Sequence, residues 1–267
     1  MVRIDMRSQK SEPQKFCRFV VDGKAYNGSL RGKMVDIVEG DIFGGFSHMR
    51  MSYPLERVKL LTPIVPNRIW CVGRNYAGHV RELENELPAE PLIFTKPLTS
   101  LVGPDEVVRM PDWAGRVDYE GELAVIIGKR GRKIKESEAL SYVVGYSCFN
   151  DVTARDLQRK DGQWTRAKGF DTFAPFGPVV LTVERMPDEA RIVTRLNGNV
   201  VQQDVLSSMI FPVSRIISHI SMFATLEPGD VIATGTPEGI GRVHPEDRVE
   251  VEIDGIGILS NPFVLDH

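Results

Sequence analysis

The sequence predicts an α+β fold dominated by strands, a β-sandwich or roll with a few helices laid on it. Three observations predict it. Short runs rich in β-branched residues and bounded by turn formers recur along the chain, in ELAVIIG, YVVGYSCFND, PFGPVVL, RIVTRLNGNVVQ, DVIATGTP and RVEVEIDGIGIL. Helical pattern is confined to GHVRELENEL, KESEALS and VSRIISHISMFATL. Strands and helices do not alternate regularly, which argues against a doubly wound parallel sheet.

Taken in order, FCRFVVDGKAYNG alternates apolar and polar residues and breaks at a glycine turn, and MVDIVEGDIFGGF continues in the same manner. LLTPIVPNRIWCVG follows, and Pro63 and Pro66 read as a hinge. The expected organisation is a small β-rich N-terminal domain over 1–62 and a larger catalytic domain over 63–267. In the larger unit, GRNYAGHVREL opens as a glycine-containing loop and runs into a helix. PLIFTKP is a short apolar strand between prolines, and QWTRAKGFDTFAPFGP reads as a loop. VSRIISHISMFATL carries apolar residues at i, i+3, i+4 and i+7 and stops at EPGD. TGTPEGIG is a tight turn after a strand.

The 267 residues are 42% hydrophobic and 26% charged, a globular composition with material for a full core. A net charge of −3 gives no reason to expect nucleic acid or a membrane surface as a partner. The first residues, MVRIDMRSQKSEPQK, lack the apolar stretch of a signal peptide. No run approaches the ~18 apolar residues of a transmembrane helix. Cys17, Cys71 and Cys148 fit neither a disulfide framework nor a zinc pattern, so a reducing, cytoplasmic location is expected.

The chemistry begins with VDYEGELAVIIG. On a strand, Glu120 and Glu122 share one face while Leu123, Val125 and Ile127 take the other. Many E-x-E pairs are simply solvated, but here the strand runs on into AVIIG, which argues for burial. Two buried carboxylates side by side require a compensating cation. Asp118 would extend the acidic row. A further acid, Asp151, stands where the apolar run of YSCFND ends. Glu120, Glu122 and Asp151 together form an oxygen-only set, suited to Mg²⁺, Mn²⁺ or Ca²⁺ rather than Zn²⁺. Three protein ligands leave positions open for substrate or water.

His79 and Glu82 are helix neighbours at i and i+3. Alone, such a pair is ordinary surface decoration. Beside a metal site it becomes an acid–base couple, with Glu82 fixing the imidazole tautomer. Lys168 is a candidate partner for an anionic substrate group. The hydroxyls and glycine N–H groups of TGTPEGIG suit a carboxylate or enolate oxygen, and the spacing is not that of a phosphate loop.

Six ordered motifs across 63–265 resemble the fumarylacetoacetate hydrolase superfamily. They are N-Y-A-x-H-x-x-E, K-P, Y-E-x-E-L-x-x-V-I-G, G-Y-x-x-x-N-D-x-x-A-R-D, K-x-F-D-T-F-x-P-x-G-P and D-x-I-x-T-G-T-P-x-G-x-G. The resemblance implies a pseudosymmetric β-roll catalytic domain, a homodimer, and Mg²⁺ or Mn²⁺ on Glu120, Glu122 and Asp151. It implies that His79 and Glu82 sit on a lid and activate water, and that Lys168 lies near the metal. Gln158 and Thr236 match positions that contact a 2-oxo acid, and Arg74 joins them as a substrate-binding candidate. Arg155 matches an arginine near the metal, with a structural part. The match is closer to the acylpyruvase and oxaloacetate decarboxylase branch than to the longer fumarylacetoacetate hydrolase.

The expected activity is therefore metal-dependent hydrolysis of the C3–C4 bond of a 2,4-dioxo acid through a pyruvate enolate. Two alternatives use the same site: decarboxylation of oxaloacetate, and isomerisation of the 2-hydroxyhepta-2,4-diene-1,7-dioate type. A non-catalytic, metal-dependent 2-oxo acid binder is the reading from outside enzymology. It sits poorly with a chain that retains every one of these carboxylates, the His–Glu pair and the lysine.

Overall fold

The chain enters the fold through two hairpins. The strand Gln14–Val21 turns at Asp22 and Gly23, both at positive φ, into the strand Lys24–Arg31. That two-residue Asp-Gly loop has the backbone twist that antiparallel strands need. Met34–Asp41 and Gly45–Pro54 follow as further antiparallel strands. The structure, a computed structural model, describes residues 13–266. The polar segment 1–12, used above to argue against a signal peptide, lies outside the described residues, as does that part of the expected small domain.

The architecture is strand-rich, as the patterning predicts. Among the described residues a twelve-stranded sheet runs from Gly45–Pro54 at one edge to Leu92–Lys96 at the other. The N-terminal strands are continuous with it, because Gln14–Phe16 pair with Val180–Thr182 of the strand Ala174–Thr182. Further in come Val143–Asn150, Gly121–Ile127, Val231–Ala233 and Ile69–Gly73. A five-stranded sheet contains Asn199–Val205, Arg191–Leu196 and Arg248–Ile253. A small three-stranded sheet is built around Val117–Tyr119.

Gly121–Ile127 is buried along its whole length. Leu123, Val125 and Ile127 enter one apolar cluster, Ala124 and Ile126 another. The N-terminal residues contribute to both: Phe19 and Ile37 to the first, Phe16 and Phe46 to the second. A strand between two cores holds its side chains in fixed register, since a one-residue slip would exchange its faces.

The helices are shorter and more numerous than the patterning suggests. The GHVRELENEL segment forms only α1, Ala77–Glu82, and KESEALS forms a 3₁₀ helix, Glu136–Tyr142. Two helices arise where a strand end and a loop were expected: α2, Arg155–Asp161, and α3, Thr165–Lys168. Such short helices carry too little apolar periodicity to be read from pattern, and packing forms them. The long amphipathic segment is α4, Val213–Phe223, which buries Ile216, Ile217 and Ile220. No helix among the described residues is long and apolar enough to cross a membrane.

Candidate active site

The site forms where four chain segments end at one side of the large sheet. Glu120 and Glu122 flank Gly121 at the start of the buried strand, and Asp151 follows Val143–Asn150 on the neighbouring strand. Asn150 Oδ1 accepts the Glu120 N–H at 2.9 Å, and Glu120 O accepts the Asp151 N–H at 2.8 Å, which locks the two strand ends together. One ligand oxygen from each of Glu120, Glu122 and Asp151 lies within 4.8 Å of the others, and all three side chains are buried. The expected cluster is thus assembled, with both glutamates on one side of their strand.

Buried carboxylates must be matched. Lys168, on α3, donates to Glu120 Oε2 at 2.7 Å and to Asp151 Oδ2 at 2.6 Å. Lys96, at the end of Leu92–Lys96, donates to Asp151 Oδ1 at 2.6 Å and to Val152 O at 3.1 Å. Arg155 spans Glu120 Oε1 at 2.5 Å and Asp118 Oδ2 at 2.9 Å, and gives its remaining reach to Gln158 Oε1 at 2.6 Å. Asp118 therefore supports Arg155 rather than extending the acidic row. Burial opposes the charge on Glu120, but Lys168, Arg155 and His79 outweigh it and hold the carboxyl well below its usual range. Burial also opposes the charge on Lys168, and Asp151 and Glu120 more than restore it.

Glu122 differs. Its polar partner is the Gly235 N–H at 2.9 Å, and no cation among the described residues forms an ion pair with it. Burial, then the charges of Asp151 and Glu120, push its carboxyl well above the ordinary range. Gly235 stands at φ +97°, and an added Cβ would press into Asn75, so this donor depends on glycine. Four buried carboxylates (Asp118, Glu120, Glu122, Asp151) face three buried cations (Lys96, Arg155, Lys168), and the half-exposed Arg116 adds a fourth at Asp118 Oδ1, 2.6 Å away. The clustered oxygen-only donors, and Glu122 without an ion-pair partner among the described residues, fit a divalent metal.

His79 and Glu82 come to the same cleft on α1. The helix is aimed by its preceding turn: Arg74 adopts φ +59°, and the buried Asn75 amide donates to Thr234 O at 2.7 Å and Phe211 O at 3.1 Å. Glu82 Oε2 lies 3.3 Å from His79 Nδ1. A carboxylate only accepts, so Nδ1 carries the proton and Nε2 is left for substrate. Glu82 also accepts the Gly239 N–H at 3.2 Å, which ties α1 to the TGTPEGIG turn.

The cleft measures about 330 Å³ and is lined by all the sequence-expected site residues except Glu82, which stands behind His79. Thr236 is fixed through its hydroxyl to Gly121 O at 2.8 Å, and Gln158 is held by Arg155. Sequence reasoning passed over Lys96, Trp164, Arg159 and Gln202. The K-P at the end of PLIFTKP marked Lys96 as a motif without giving it a partner. Trp164 and Phe94 wall in the Lys168 ammonium, which lies 5.1 Å from the Phe94 ring centre and 6.0 Å from that of Trp164.

The profile described as "Fumarylacetoacetate (FAA) hydrolase C-terminal" matches residues 68–264. The chain belongs to the fumarylacetoacetate hydrolase family. A second profile, "Rv2993c-like, N-terminal", matches residues 14–63. The mitochondrial oxaloacetate tautomerase fahd2 of Xenopus laevis is 44% identical over 266 residues, covering 92% of this chain and 82% of its own. The crystal structure of 2-hydroxyhepta-2,4-diene-1,7-dioate isomerase from Mycobacterium marinum superposes with a TM-score of 0.88 at 39% identity, covering 95% of this chain and 99% of that one. Maleylpyruvate hydrolase from Sphingobium sp. SYK-6, solved with manganese(II) and pyruvate, gives a TM-score of 0.80 at 28% identity, covering 95% and 100%. Family relatives are thus enzymes, and one of them holds a divalent metal.

Proposed function

We propose that the protein is a divalent-metal-dependent enzyme that interconverts the enol and keto forms of a small 2-oxo dicarboxylic acid of the oxaloacetate type. The observation that carries this reading is the His79–Glu82 pair standing at the mouth of the carboxylate cluster. A Mg²⁺ or Mn²⁺ ion on Glu120, Glu122 and Asp151 would supply Lewis acidity toward a 2-oxo carbonyl and its carboxylate. In the keto-to-enol direction His79 Nε2 takes the proton from C3 and the imidazolium, stabilised by Glu82, hands it to the 2-oxygen; the enol-to-keto direction runs the same two transfers in reverse. Lys168 faces the negative charge that collects on the 2-oxygen in the enolate. Thr236 and Gln158 orient the acid end of the substrate.

Charge supports a dianionic substrate. Arg74 and Arg159 line the cleft, and neither side chain makes a hydrogen bond or ion pair among the described residues. They suit a second carboxylate, which oxaloacetate has and a simple acylpyruvate lacks. The two relatives named for proton-transfer chemistry also share more residues with this chain than the hydrolase does, 44% and 39% against 28%.

Hydrolysis of a 2,4-dioxo acid, the expectation set out from the sequence, stands as the second reading. It is favoured by the same His79–Glu82 pair, which is equally placed to take a proton from water attacking a C4 ketone. Oxaloacetate and acetylpyruvate, each supplied to the Mn²⁺-loaded protein, separate the readings. Faster enol–keto exchange of oxaloacetate without pyruvate formation supports the tautomerase. Acetate plus pyruvate from acetylpyruvate would replace it with the hydrolase, and CO₂ from oxaloacetate with a decarboxylase. His79→Gln is expected to lower the rate by about 10²–10⁴-fold while leaving Mn²⁺ affinity intact.

A further inference from the structure

We propose that Gln202 is a positioning residue for this reaction, holding the turn that latches α1 and its His79–Glu82 pair over the cleft. The inference rests on that pair doing the acid–base work. Gln202 lies on Asn199–Val205, in the five-stranded sheet rather than the sheet that carries the carboxylates, and is 2% exposed.

Its amide joins two segments of the site. Oε1 accepts the Gly121 N–H at 3.1 Å, between the two glutamates. Nε2 donates to Pro237 O at 2.8 Å and to Thr236 Oγ1 at 2.9 Å. The partners fix the orientation, since Gly121 N–H can only donate and Pro237 O can only accept. A carboxylate in place of the amide would lose both donors, and a hydrocarbon would lose everything.

The turn held in this way reaches α1 two residues later. Gly239 N–H donates to Glu82, and Gly239 O accepts from Tyr119 Oη at 3.0 Å. Gly239 has φ +98°, and a Cβ there would collide with Val201 O, the residue beside Gln202. On the other side, the Glu238 carboxylate packs against Gly78 in the first turn of α1, with an added Cβ there only 2.5 Å from Glu238 Oε2. α1 is six residues long and has no side-chain cap, so it draws its order from such contacts and not from its own hydrogen bonds. One buried amide thus sets both the strand that presents the carboxylates and the turn that fixes the base.

Hydrogen exchange on the full-length, Mn²⁺-loaded protein tests this without reference to turnover. In Gln202→Met, amides of 77–85 are expected to exchange about tenfold or more faster than in the parent protein, while those of Gly257–Asp266 keep their rates. Should Gln202→Met fail to fold, Tyr119→Phe removes the other hold on Gly239 and is expected to act in the same direction. Unchanged exchange over 77–85 in a folded variant overturns the proposal. Turnover gives the second arm: the kcat penalty of Gln202→Met is expected to shrink to under about twofold in a Glu82→Ala background, because the latch is already open there. Independent, multiplying penalties would place the effect of Gln202 elsewhere and overturn the proposal. If the parent protein turns over no 2-oxo acid, the functional reading fails, and the exchange arm still decides whether Gln202 holds α1.

Discussion

Lys96 and Lys168 grip the two oxygens of a single carboxylate. Their ammonium groups lie 2.6 Å from Asp151 Oδ1 and 2.6 Å from Oδ2, and all three side chains are removed from solvent. One lysine comes from an edge strand and the other from a four-residue helix. The carboxylate thereby pins two distant segments to the site.

Removing one partner of a buried ion pair leaves an uncompensated charge, at a cost of about 3–5 kcal/mol. Lys96→Met is therefore expected to lower the melting temperature sharply in the metal-free protein. Saturating Mn²⁺ should recover part of the loss by neutralising Asp151. Thermal melts of both proteins with and without MnCl₂ check this, and equal losses in the two conditions would place Asp151 outside the metal site.

Glu122 carries the opposite expectation. It is the carboxylate of the cluster with no ion-pair partner among the described residues, so Glu122→Gln relieves repulsion within the cluster. The metal-free variant should melt at or above the parent temperature, while the stabilisation that Mn²⁺ gives the parent protein disappears. A variant that still gains stability from Mn²⁺ would mean the ion is held without Glu122.

Arg159→Leu addresses the substrate. Its guanidinium lines the cleft from the solvent side of α2. KM for oxaloacetate should rise about tenfold, the worth of one charge-assisted contact. Acetylpyruvate, with one carboxylate, should be handled as before. Equal effects on both acids would assign Arg159 to the shared end of the substrate.

Far from the site, Asp36 reports on acid stability. Burial raises its carboxyl, but the Ser52 hydroxyl at 2.7 Å and the Arg31 guanidinium at 2.6 Å outweigh burial and hold it below its usual 3.8. A lowered folded-state pKa contributes stability above the unfolded value that is lost as the pH falls below about 4. Asp36→Asn should flatten the pH dependence of denaturant midpoints between roughly pH 5 and 2. An unchanged slope would show that other carboxylates carry the acid sensitivity.

Much of this site was legible because its signals are local. The two-residue period put Glu120 and Glu122 on one face, and the apolar continuation to Ile127 announced their burial. Asp151 stood out as an acid ending an apolar strand. The i, i+3 spacing paired His79 with Glu82. The partners that make the cluster tolerable were not legible, because nothing in PLIFTKP says that Lys96 reaches Asp151, 55 residues away. Gln202 was hidden for the same reason: a polar residue on an ordinary alternating strand acquires meaning only when a second sheet packs against the first. The strands of the fold were readable from β-branched runs, while α2 and α3 were not, since helices of seven and four residues owe their form to packing.

The N-terminal hairpins have a further consequence. Their first strand covers Val180–Thr182, the flank of a strand buried from Ala174 to Thr182. Stripped of that cover, the flank would present unpaired N–H and C=O groups among apolar side chains, an invitation to intermolecular pairing. The strand Gln14–Val21 thus covers an edge open to self-association, and a chain shortened to begin at Pro63 should be limited by precipitation before it is limited by catalysis.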